Sequence, residues 1–196
     1  MKAQLRSQKL LERLDHHPLT KKRKELNIIK KIAALPAFKK AEHVLFYMPI
    51  HGEVDLGSLF TKYQKSKKFI LPRVIKGSPK LELFYIETLD HLEKGSFNIL
   101  EPKSHLKKAK LKDVDLALIP GVVFSNNGHR IGYGKGYYDR LLKKAACAKI
   151  GVAYEFQIVK NIQGEKHDTP MDMIITETKT RTIQHRPQPK RIKPIL

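Results

Sequence analysis

The sequence has few of the features that mark secreted or membrane proteins. Its 196 residues include a single cysteine, Cys147, so no disulfide can form within the chain. No apolar run approaches the roughly 20 residues that a membrane-spanning helix needs. The basic N-terminus lacks the apolar core and the small-residue cleavage site of a secretory signal. We therefore expect a cytoplasmic protein that does not enter a membrane, and we assign no chemistry to Cys147.

Acidic residues are also scarce. Asp and Glu number 19 against 39 Lys and Arg, which gives a formal net charge of +20. Such a charge favours a polyanionic partner, and both nucleic acids and small multiply phosphorylated molecules qualify. The chain has no Trp, only 8% aromatic residues and no recognisable nucleic-acid-binding module. Nucleic acid is therefore the less favoured partner, although charge alone does not exclude it.

Two basic helices are predicted at the N-terminus. Residues 2–14 and 20–35 carry leucines, isoleucines and alanines at helical spacings. The segment Asp15-His16-His17-Pro18 separates them, Thr20 is a candidate N-cap of the second helix, and Pro36 is expected to end it.

Six short apolar runs predict β-strands. The first two flank a helix that Asp55 can cap, which makes a βαβ unit. Strands that alternate with helices are typical of a mainly parallel sheet between two helical layers. We expect one α/β domain over residues 1–184, built as a three-layer α/β/α sandwich, with a long connection from Glu87 to Lys112. A basic C-terminal tail follows over 185–196. The predicted strands are 43–48, 68–72, 81–86, 115–120, 149–154 and 172–176.

The most informative segment runs from Ile119 to Leu142 and reads IPGVVFSNNGHRIGYGKGYYDRLL. It predicts a strand end, a turn at Asn127-Gly128, three alternate glycines and a helix that begins near Tyr137. Glycines let backbone N–H groups approach a ligand closely, and the helix behind them adds the positive end of its dipole. This arrangement predicts a phosphate site. The three glycines are Gly132, Gly134 and Gly136.

Charged side chains flank these glycines. Arg130 and Lys135 can neutralise charge on a transferring phosphoryl group, and Asp139 can hold Mg²⁺. The spacing fits neither a dinucleotide fingerprint nor a P-loop, because Lys135 is followed by Gly136 and not by Ser or Thr. On these residues alone, a glycine-rich turn before an ordinary helix is an equal alternative.

The same segment resembles the signature of the 5-formyltetrahydrofolate cyclo-ligase family. A Lys-x-x-Leu-Arg element at the N-terminus matches Lys2, Leu5 and Arg6. The stretches YMPIHGEVDL, ILPRV, LEP, GVAYEFQIV and HDTPMDMIIT then follow in family order. The resemblance covers roughly residues 2–177. Ser125 departs from it, because the family often has an acidic residue after the Phe.

The resemblance implies an ATP- and Mg²⁺-dependent enzyme that converts 5-formyltetrahydrofolate, free or polyglutamylated, to 5,10-methenyltetrahydrofolate. The formyl oxygen would be phosphorylated and N10 would then close the ring, with release of ADP and phosphate. The implied ATP contacts are Lys2, Ala3, Gln4, Leu5, Arg6, Arg130, Ile131, Gly132, Tyr133, Gly134, Lys135, Gly136, Tyr137 and Tyr138. The implied folate contacts are Met48, Glu53, Tyr133, Gly134, Lys135, Gly136 and Tyr137. Asp139 and Asp168 are the implied Mg²⁺ ligands, and Arg130, Lys135 and Tyr138 the implied catalytic residues.

Several of these residues also have plainer explanations. Lys2 and Arg6 are one helical turn apart and suit a solvated helix face, Met48 suits the core, and Asp168 suits a turn. Glu53 is the exception, because it follows the end of a strand, where α/β sheets place their ligands. Two other functions stay open: a basic nucleic-acid-binding α/β protein, and a family member that binds folate or nucleotide without turnover.

Overall fold

Three helices open the chain. The first helix, α1, spans Lys2–Leu14, α2 spans Pro18–Ala34 and α3 spans Pro36–Lys40. The computed structural model describes residues 2–15, 17–95, 99–165 and 168–184. The predicted tail over 185–196 therefore lies outside the described residues.

The prediction of two basic N-terminal helices is confirmed, but the predicted cap of the second is wrong. The helix α2 begins at Pro18, where a missing N–H costs nothing because the first helical N–H has no partner in the helix. Thr20 consequently lies inside the first turn. Pro36 does follow the end of α2, and it also begins α3.

Thirteen strands form one large sheet and two small ones within the described residues. Four neighbouring pairs in the large sheet are parallel, and the three pairs at its two sides are antiparallel. The large sheet has the order β13-β12-β10-β7-β1-β2-β3-β6, and the small sheets are β11-β8-β9 and β4-β5. The strands are β1 (His43–Leu45), β2 (Lys68–Val74), β3 (Leu81–Ile86), β4 (Leu92–Lys94), β5 (Leu100–Pro102), β6 (Lys108–Ala109), β7 (Leu116–Ile119), β8 (Val123–Ser125), β9 (Arg130–Ile131), β10 (Ala148–Val152), β11 (Ile158–Val159), β12 (Met173–Ile175) and β13 (Thr180–Thr182).

Both faces of the large sheet are buried. Neighbouring residues of a strand point to opposite faces, and Val44 and Leu45 of β1 are both fully buried, in two different core clusters. The first cluster joins the sheet to α2, α3 and the helix α4 (Gly57–Tyr63), whose first amide donates to the Asp55 carboxylate at 2.7 Å. The predicted α/β class with a mainly parallel sheet is thereby confirmed.

The second face differs from a simple helical layer. Its cluster contains Phe124 of β8 and Leu142 of the short helix α5, which spans Tyr137–Leu142. One six-residue helix and the β11-β8-β9 sheet thus cover this face together.

The expectation of a connection without regular structure from Glu87 to Lys112 is wrong. The chain forms the β4-β5 hairpin there, with Leu92 opposite Pro102, and β6 then pairs with β3. Strands of two or three residues are too short to show a period in the sequence. In the part of the chain that the structure describes, no helix has the length and apolar character needed to cross a bilayer.

Parallel pairing brings the carboxyl ends of β1, β2, β7 and β10 to one edge of the sheet. The loop after β1 is pinned there, because the buried Tyr47 hydroxyl donates to the Val54 carbonyl at 2.9 Å. This edge is where open α/β sheets bind their ligands.

Candidate active site

A cavity of about 450 Å³ opens at this edge of the sheet. Its wall comes from α1, from the loops after β1 and β7, from the β5 hairpin, and from the glycine segment between β9 and α5. Fifteen of the eighteen predicted site residues lie in this wall: Lys2, Arg6, Met48, Glu53, Arg130, Ile131, Gly132, Tyr133, Gly134, Lys135, Gly136, Tyr137, Tyr138, Asp139 and Asp168.

The other three predicted residues lie outside this wall. Leu5 lines a smaller neighbouring cavity of about 330 Å³, which it shares with Lys2 and Ile162. Ala3 and Gln4 are exposed on the outer side of α1 and line neither cavity.

The glycine segment adopts a backbone that favours glycine at two of its three glycines. Gly134 has a φ of 94° and Gly136 a φ of 63°, both in the left-handed region. The helix α5 begins immediately afterwards at Tyr137, as predicted. Since α5 has only six residues, we expect the flanking cations to carry more of the positive charge at this segment than the helix dipole does.

Arg130 of β9 and Asp139 of α5, which flank the glycine segment, form an ion pair. The Arg130 guanidinium donates to the Asp139 carboxylate at 2.9 Å and lies over the Tyr138 ring, 5.6 Å from its centroid. The Arg130 side chain is 4% exposed, and no described residue hydrogen-bonds with its buried Nε. Burial lowers the pKa of Arg130, which Asp139 opposes. Arg130 is therefore a fixed buried cation at the cavity.

The N-terminal helix closes one side of the cavity with its own cations. The Lys2 ammonium pairs with Glu165 at 2.7 Å and with Asp168 at 3.4 Å, and the hydrogen bond with Glu165 raises the pKa of Lys2. Arg6 donates from Nε to the Gly132 carbonyl at 2.8 Å. The Arg6 contact attaches α1 to the glycine segment, and the Lys2 pairs attach it to Glu165 and Asp168, so Lys2 and Arg6 do not belong to a solvated helix face.

Glu53 is a buried carboxylate with one unused acceptor. It is 4% exposed, and its Oε2 accepts from the Ile50 amide at 3.2 Å, whereas Oε1 is buried and has no hydrogen-bond partner among the residues that the structure describes. Burial raises the pKa of Glu53 to about 7, against the opposing effects of the Arg13 charge, the Ile50 amide and Tyr133. A buried, unsatisfied carboxylate oxygen in a cavity wall indicates a ligand that donates to it.

Tyr138 and Lys135 complete the predicted catalytic set. Burial and the nearby Glu53 carboxylate raise the pKa of Tyr138 well above its usual range, so its phenol stays a neutral donor. Lys135 is exposed at the rim of the cavity, and its carbonyl accepts from Arg140. Its ammonium is therefore placed to meet a ligand that enters from solvent.

The predicted Mg²⁺ ligands share the cavity wall. No group of three or more His, Cys, Asp or Glu side chains is arranged for a metal within residues 2–15, 17–95, 99–165 and 168–184. Mg²⁺ often needs only one or two carboxylates, with water and substrate phosphates as its other ligands. Asp139 and Asp168 are compatible with that kind of site, because both carboxylates belong to residues that line the cavity.

Three polar residues at this site were not predicted from the sequence. Glu101 and Glu165 line the cavity, and the Glu101 carboxylate accepts from the Val74 amide at 3.3 Å. Arg13 lies behind the wall and is 2% exposed. The spacing of Lys2, Arg6 and Arg13 carries a signal for it, because at 100° per residue the three side chains lie within about 40° of one another around α1.

Ser125 is the last residue of β8 and does not line the cavity. Its hydroxyl donates to the Asn127 side-chain oxygen, and the Asn127 amide donates to the Ile162 carbonyl at 3.1 Å. Serine at this position therefore stabilises the predicted turn between β8 and β9.

Comparison with known proteins shows which family this chain resembles. The sequence profile of the 5-formyltetrahydrofolate cyclo-ligase family matches residues 1–177. A probable 5-formyltetrahydrofolate cyclo-ligase of Caenorhabditis elegans is 29% identical over 78% of this chain and 81% of its own length.

Two solved structures are similar along nearly the whole chain. The 5,10-methenyltetrahydrofolate synthetase of Aquifex aeolicus has a TM-score of 0.85 and 37% identity, and the match covers 95% of both chains. That of Mycoplasma pneumoniae has a TM-score of 0.73 and 27% identity, over 90% of this chain and 98% of its own. The resemblance found in the sequence is thus confirmed, and with it the prediction of a ligase: the chain belongs to the 5-formyltetrahydrofolate cyclo-ligase family.

Proposed function

We propose that this chain catalyses the ATP-dependent cyclisation of 5-formyltetrahydrofolate, free or polyglutamylated, to 5,10-methenyltetrahydrofolate. The observation that carries the proposal is the Glu53 Oε1 atom, which has no hydrogen-bond partner in the described part of the chain; Glu53 lines the same cavity as the glycine segment and its cations. One cavity therefore offers an acceptor for a heterocycle and a cationic wall for phosphates.

The Glu53 end suits the pterin ring. A pterin presents a ring N–H beside an exocyclic amino group, and one carboxylate can accept from both in a bidentate pair. Met48 and Tyr133 line the cavity with Glu53 and supply apolar and aromatic surface for the ring. We assign Tyr133 through Tyr137 to the folate as well as to ATP, because the two substrates must meet there.

The opposite end suits ATP. Lys2 and Arg6 of α1 line the cavity with the glycine segment. Arg6 holds the Gly132 carbonyl through its Nε, and within the described residues its two terminal nitrogens are left for phosphate. Arg130 and Lys135 add a buried and an exposed cation. This set supplies the charge neutralisation and alignment on which phosphoryl transfer depends.

The reaction needs no enzyme nucleophile. The N5-formyl oxygen attacks the γ-phosphorus, ADP leaves with the electrons of the broken P–O bond, and the formyl carbon becomes an electrophilic imidate-like centre. N10 then attacks that carbon and loses its proton, and phosphate departs with the formyl oxygen. Arg130 and Lys135 neutralise the charge that builds on the transferred group. Cys147 does not line the cavity, and burial raises the pKa of its thiol.

Asp139 and Asp168 would hold Mg²⁺ in this arrangement. The ion would neutralise negative charge on the ATP phosphates. The chain itself would orient those carboxylates through Arg130, which holds Asp139, and Lys2, which pairs with Asp168.

The experiment is an absorbance assay for 5,10-methenyltetrahydrofolate, with 5-formyltetrahydrofolate in the presence and absence of ATP. Product that forms only with ATP, and that disappears with excess chelator, supports the proposal. Binding of 5-formyltetrahydrofolate without product formation would identify a non-catalytic family member. Salt-dependent binding of an oligonucleotide, with no folate binding, would favour the nucleic-acid alternative.

A further inference from the structure

Arg13 joins three loops of the cavity wall from behind. Its Nε donates to the His51 carbonyl at 2.8 Å, one terminal nitrogen donates to the Gly121 carbonyl at 3.1 Å, and the other donates to the Tyr133 hydroxyl at 2.5 Å. These acceptors follow β1, β7 and β9 respectively. A planar guanidinium has donors in three directions, whereas an ammonium is a point charge. Arg13 thus fixes the relative positions of the three loops.

The His51 contact holds a backbone that does not persist on its own. His51 has a φ of 45°, and among the described residues it is the one non-glycine in the left-handed region. Such a residue is retained where surrounding contacts determine its conformation. The next residue, Gly52, packs directly on Arg13, since a Cβ there would lie 3.3 Å from the Arg13 Cγ. Glu53 follows at once, so Arg13 sets the turn that aims the carboxylate.

The Tyr133 contact fixes the direction of a second polar group. Arginine can only donate, so the Tyr133 oxygen accepts from Arg13 and its own hydrogen must point elsewhere. The Tyr133 hydroxyl lies within hydrogen-bonding reach of the Glu53 carboxylate, and this interaction lowers the pKa of that carboxyl. Its ring also lies 5.7 Å from the His51 ring. The hydroxyl and the carboxylate are therefore held side by side at the cavity.

We propose that Arg13 is a positioning residue for the folate: it orients the Tyr133 hydroxyl and the Glu53 carboxylate as a matched pair that recognises the polar edge of the pterin. This inference rests on the proposed function. It assigns Arg13 no contact with ATP, since the described contacts of its guanidinium are all with the loops.

Arg13 should also influence when Glu53 is ionised. Its positive charge opposes the effect of burial on that carboxyl. The tyrosines near Glu53 stay neutral near pH 7, because burial raises their pKa values, and the arginines stay cationic. Glu53 therefore titrates in this range. The charged or titratable groups around it are Arg13 from α1, Arg130 from β9, Tyr47 and His51 from the loop after β1, Tyr133 from the glycine segment and Tyr138 from α5.

The test measures the dissociation constant of 5-formyltetrahydrofolate by calorimetry across pH 5.5 to 8.5, without ATP, whose phosphates would also titrate. In the wild type, affinity should fall as pH drops through about 7, because a protonated carboxyl cannot accept two N–H groups. Arg13→Met should weaken folate binding about tenfold. It should also move the midpoint of the pH dependence of folate affinity upward by about half a pH unit or more, since a positive charge near the Glu53 carboxylate is lost. ATP affinity should change less than twofold, by our order-of-magnitude expectation for a group outside that site.

Arg181→Met is the matched control. Arg181 is partly buried, donates to Glu155 at 3.0 Å as part of a hydrogen-bond network of its own, and lies outside the cavity wall. It should cost stability and leave folate affinity and its midpoint unchanged. If Arg13→Met does not fold, Arg13→Lys carries the test. Arg13→Lys alone should weaken folate binding roughly tenfold. When Tyr133 is already replaced by Phe, the same substitution should weaken folate binding only about twofold further, because the two groups act through one contact.

Two failures have different meanings. If the wild type neither binds nor converts 5-formyltetrahydrofolate, the proposed function is wrong and this inference falls with it. If the wild type converts the folate but Arg13→Lys keeps its affinity and midpoint, or adds its full loss to that of Tyr133→Phe, then Arg13 is a structural arginine only and the proposed function stands.

Discussion

The Asp139 carboxylate lies 2.9 Å from the Arg130 guanidinium, and these two residues, which flank the glycine segment, both line the cavity. Asp139 therefore has two candidate tasks, as the partner of a buried arginine and as a ligand of Mg²⁺. The two tasks predict different kinetics when the charge is removed.

Asp139→Asn keeps an acceptor for Arg130 but loses the negative charge. We expect turnover to fall and the Mg²⁺ concentration for half-maximal activity to rise about tenfold. We also expect a loss of about 1 to 3 kcal/mol in the free energy of unfolding, since a charge-assisted bond to a buried cation is weakened. Mg²⁺ titrations and urea denaturation would measure both effects.

Asp172→Asn is the matched control for that experiment. Asp172 pairs with Lys149 at 3.2 Å and lies outside the cavity wall. It should change stability without changing the Mg²⁺ requirement. If Asp139→Asn also leaves that requirement unchanged, Asp139 only holds Arg130.

The fold was largely predictable because its main strands are continuous buried runs. Leu116, Ala117, Leu118 and Ile119 of β7 are all fully buried, so the run stands out from its polar surroundings. The β4-β5 hairpin was not predictable, because its three-residue strands depend on pairing with each other and on packing against β2. Such contacts leave no local period.

Gly134→Ala tests the glycine segment. Gly134 has a φ of 94°, which an alanine tolerates at a cost of about 1 to 2 kcal/mol, and the added methyl would lie 3.6 Å from the Arg6 guanidinium. We expect ATP affinity to fall about tenfold or more, because a methyl and a shifted backbone oppose the approach of phosphate. Calorimetric titration with ATP would measure this loss.

Gly77→Ala provides the comparison. Gly77 has a φ of 72° in the turn between β2 and β3, and a Cβ there meets no atom within 4 Å. It should therefore cost similar stability and leave ATP binding intact. If both variants bind ATP like the wild type, the glycine segment does not cradle phosphate.

The site was predictable where a motif carries it and not where it depends on the tertiary structure. The resemblance gave Glu53 and the glycine segment, and the structure brings them to one cavity. It did not give Arg13, because an arginine on a basic amphipathic helix is ordinarily solvated. Only the fold shows that this side chain is 2% exposed and contacts three loops.

Glu53→Gln should impair folate recognition and spare ATP. The amide keeps the size of the side chain but replaces one acceptor by a donor, which then faces a pterin N–H. An unmatched buried group of this kind costs about 1 to 3 kcal/mol, which corresponds to a folate KM about five- to a hundredfold higher. Steady-state kinetics with each substrate varied would measure it. An unchanged folate KM, or an equal loss for ATP, would remove Glu53 from the pterin site.

The same substitution should make the protein more stable above pH 7. Burial raises the pKa of Glu53 from 4.5 to about 7, so between these values the native state keeps a proton that the unfolded chain releases. Stability must therefore fall as pH rises through this window, by roughly 3 kcal/mol for a shift of this size. Glutamine carries no such charge. We expect Glu53→Gln to gain about 1 to 3 kcal/mol at pH 8 and to lose that gain near pH 4.5.

Glu155→Gln should behave in the opposite way. Burial acts to raise the pKa of Glu155, but hydrogen bonds from Arg181, Thr176 and Thr178 outweigh it and lower the pKa to about 2. Its ionised form therefore stabilises the fold above pH 4.5, and that contribution is lost as pH falls toward 2. Urea denaturation at pH 5 and pH 8 would compare the variants. If Glu53→Gln lowers the free energy of unfolding at pH 8 as Glu155→Gln does, the prediction is wrong. Glu53 would then be a carboxylate that stabilises the fold, and not one whose charge destabilises it.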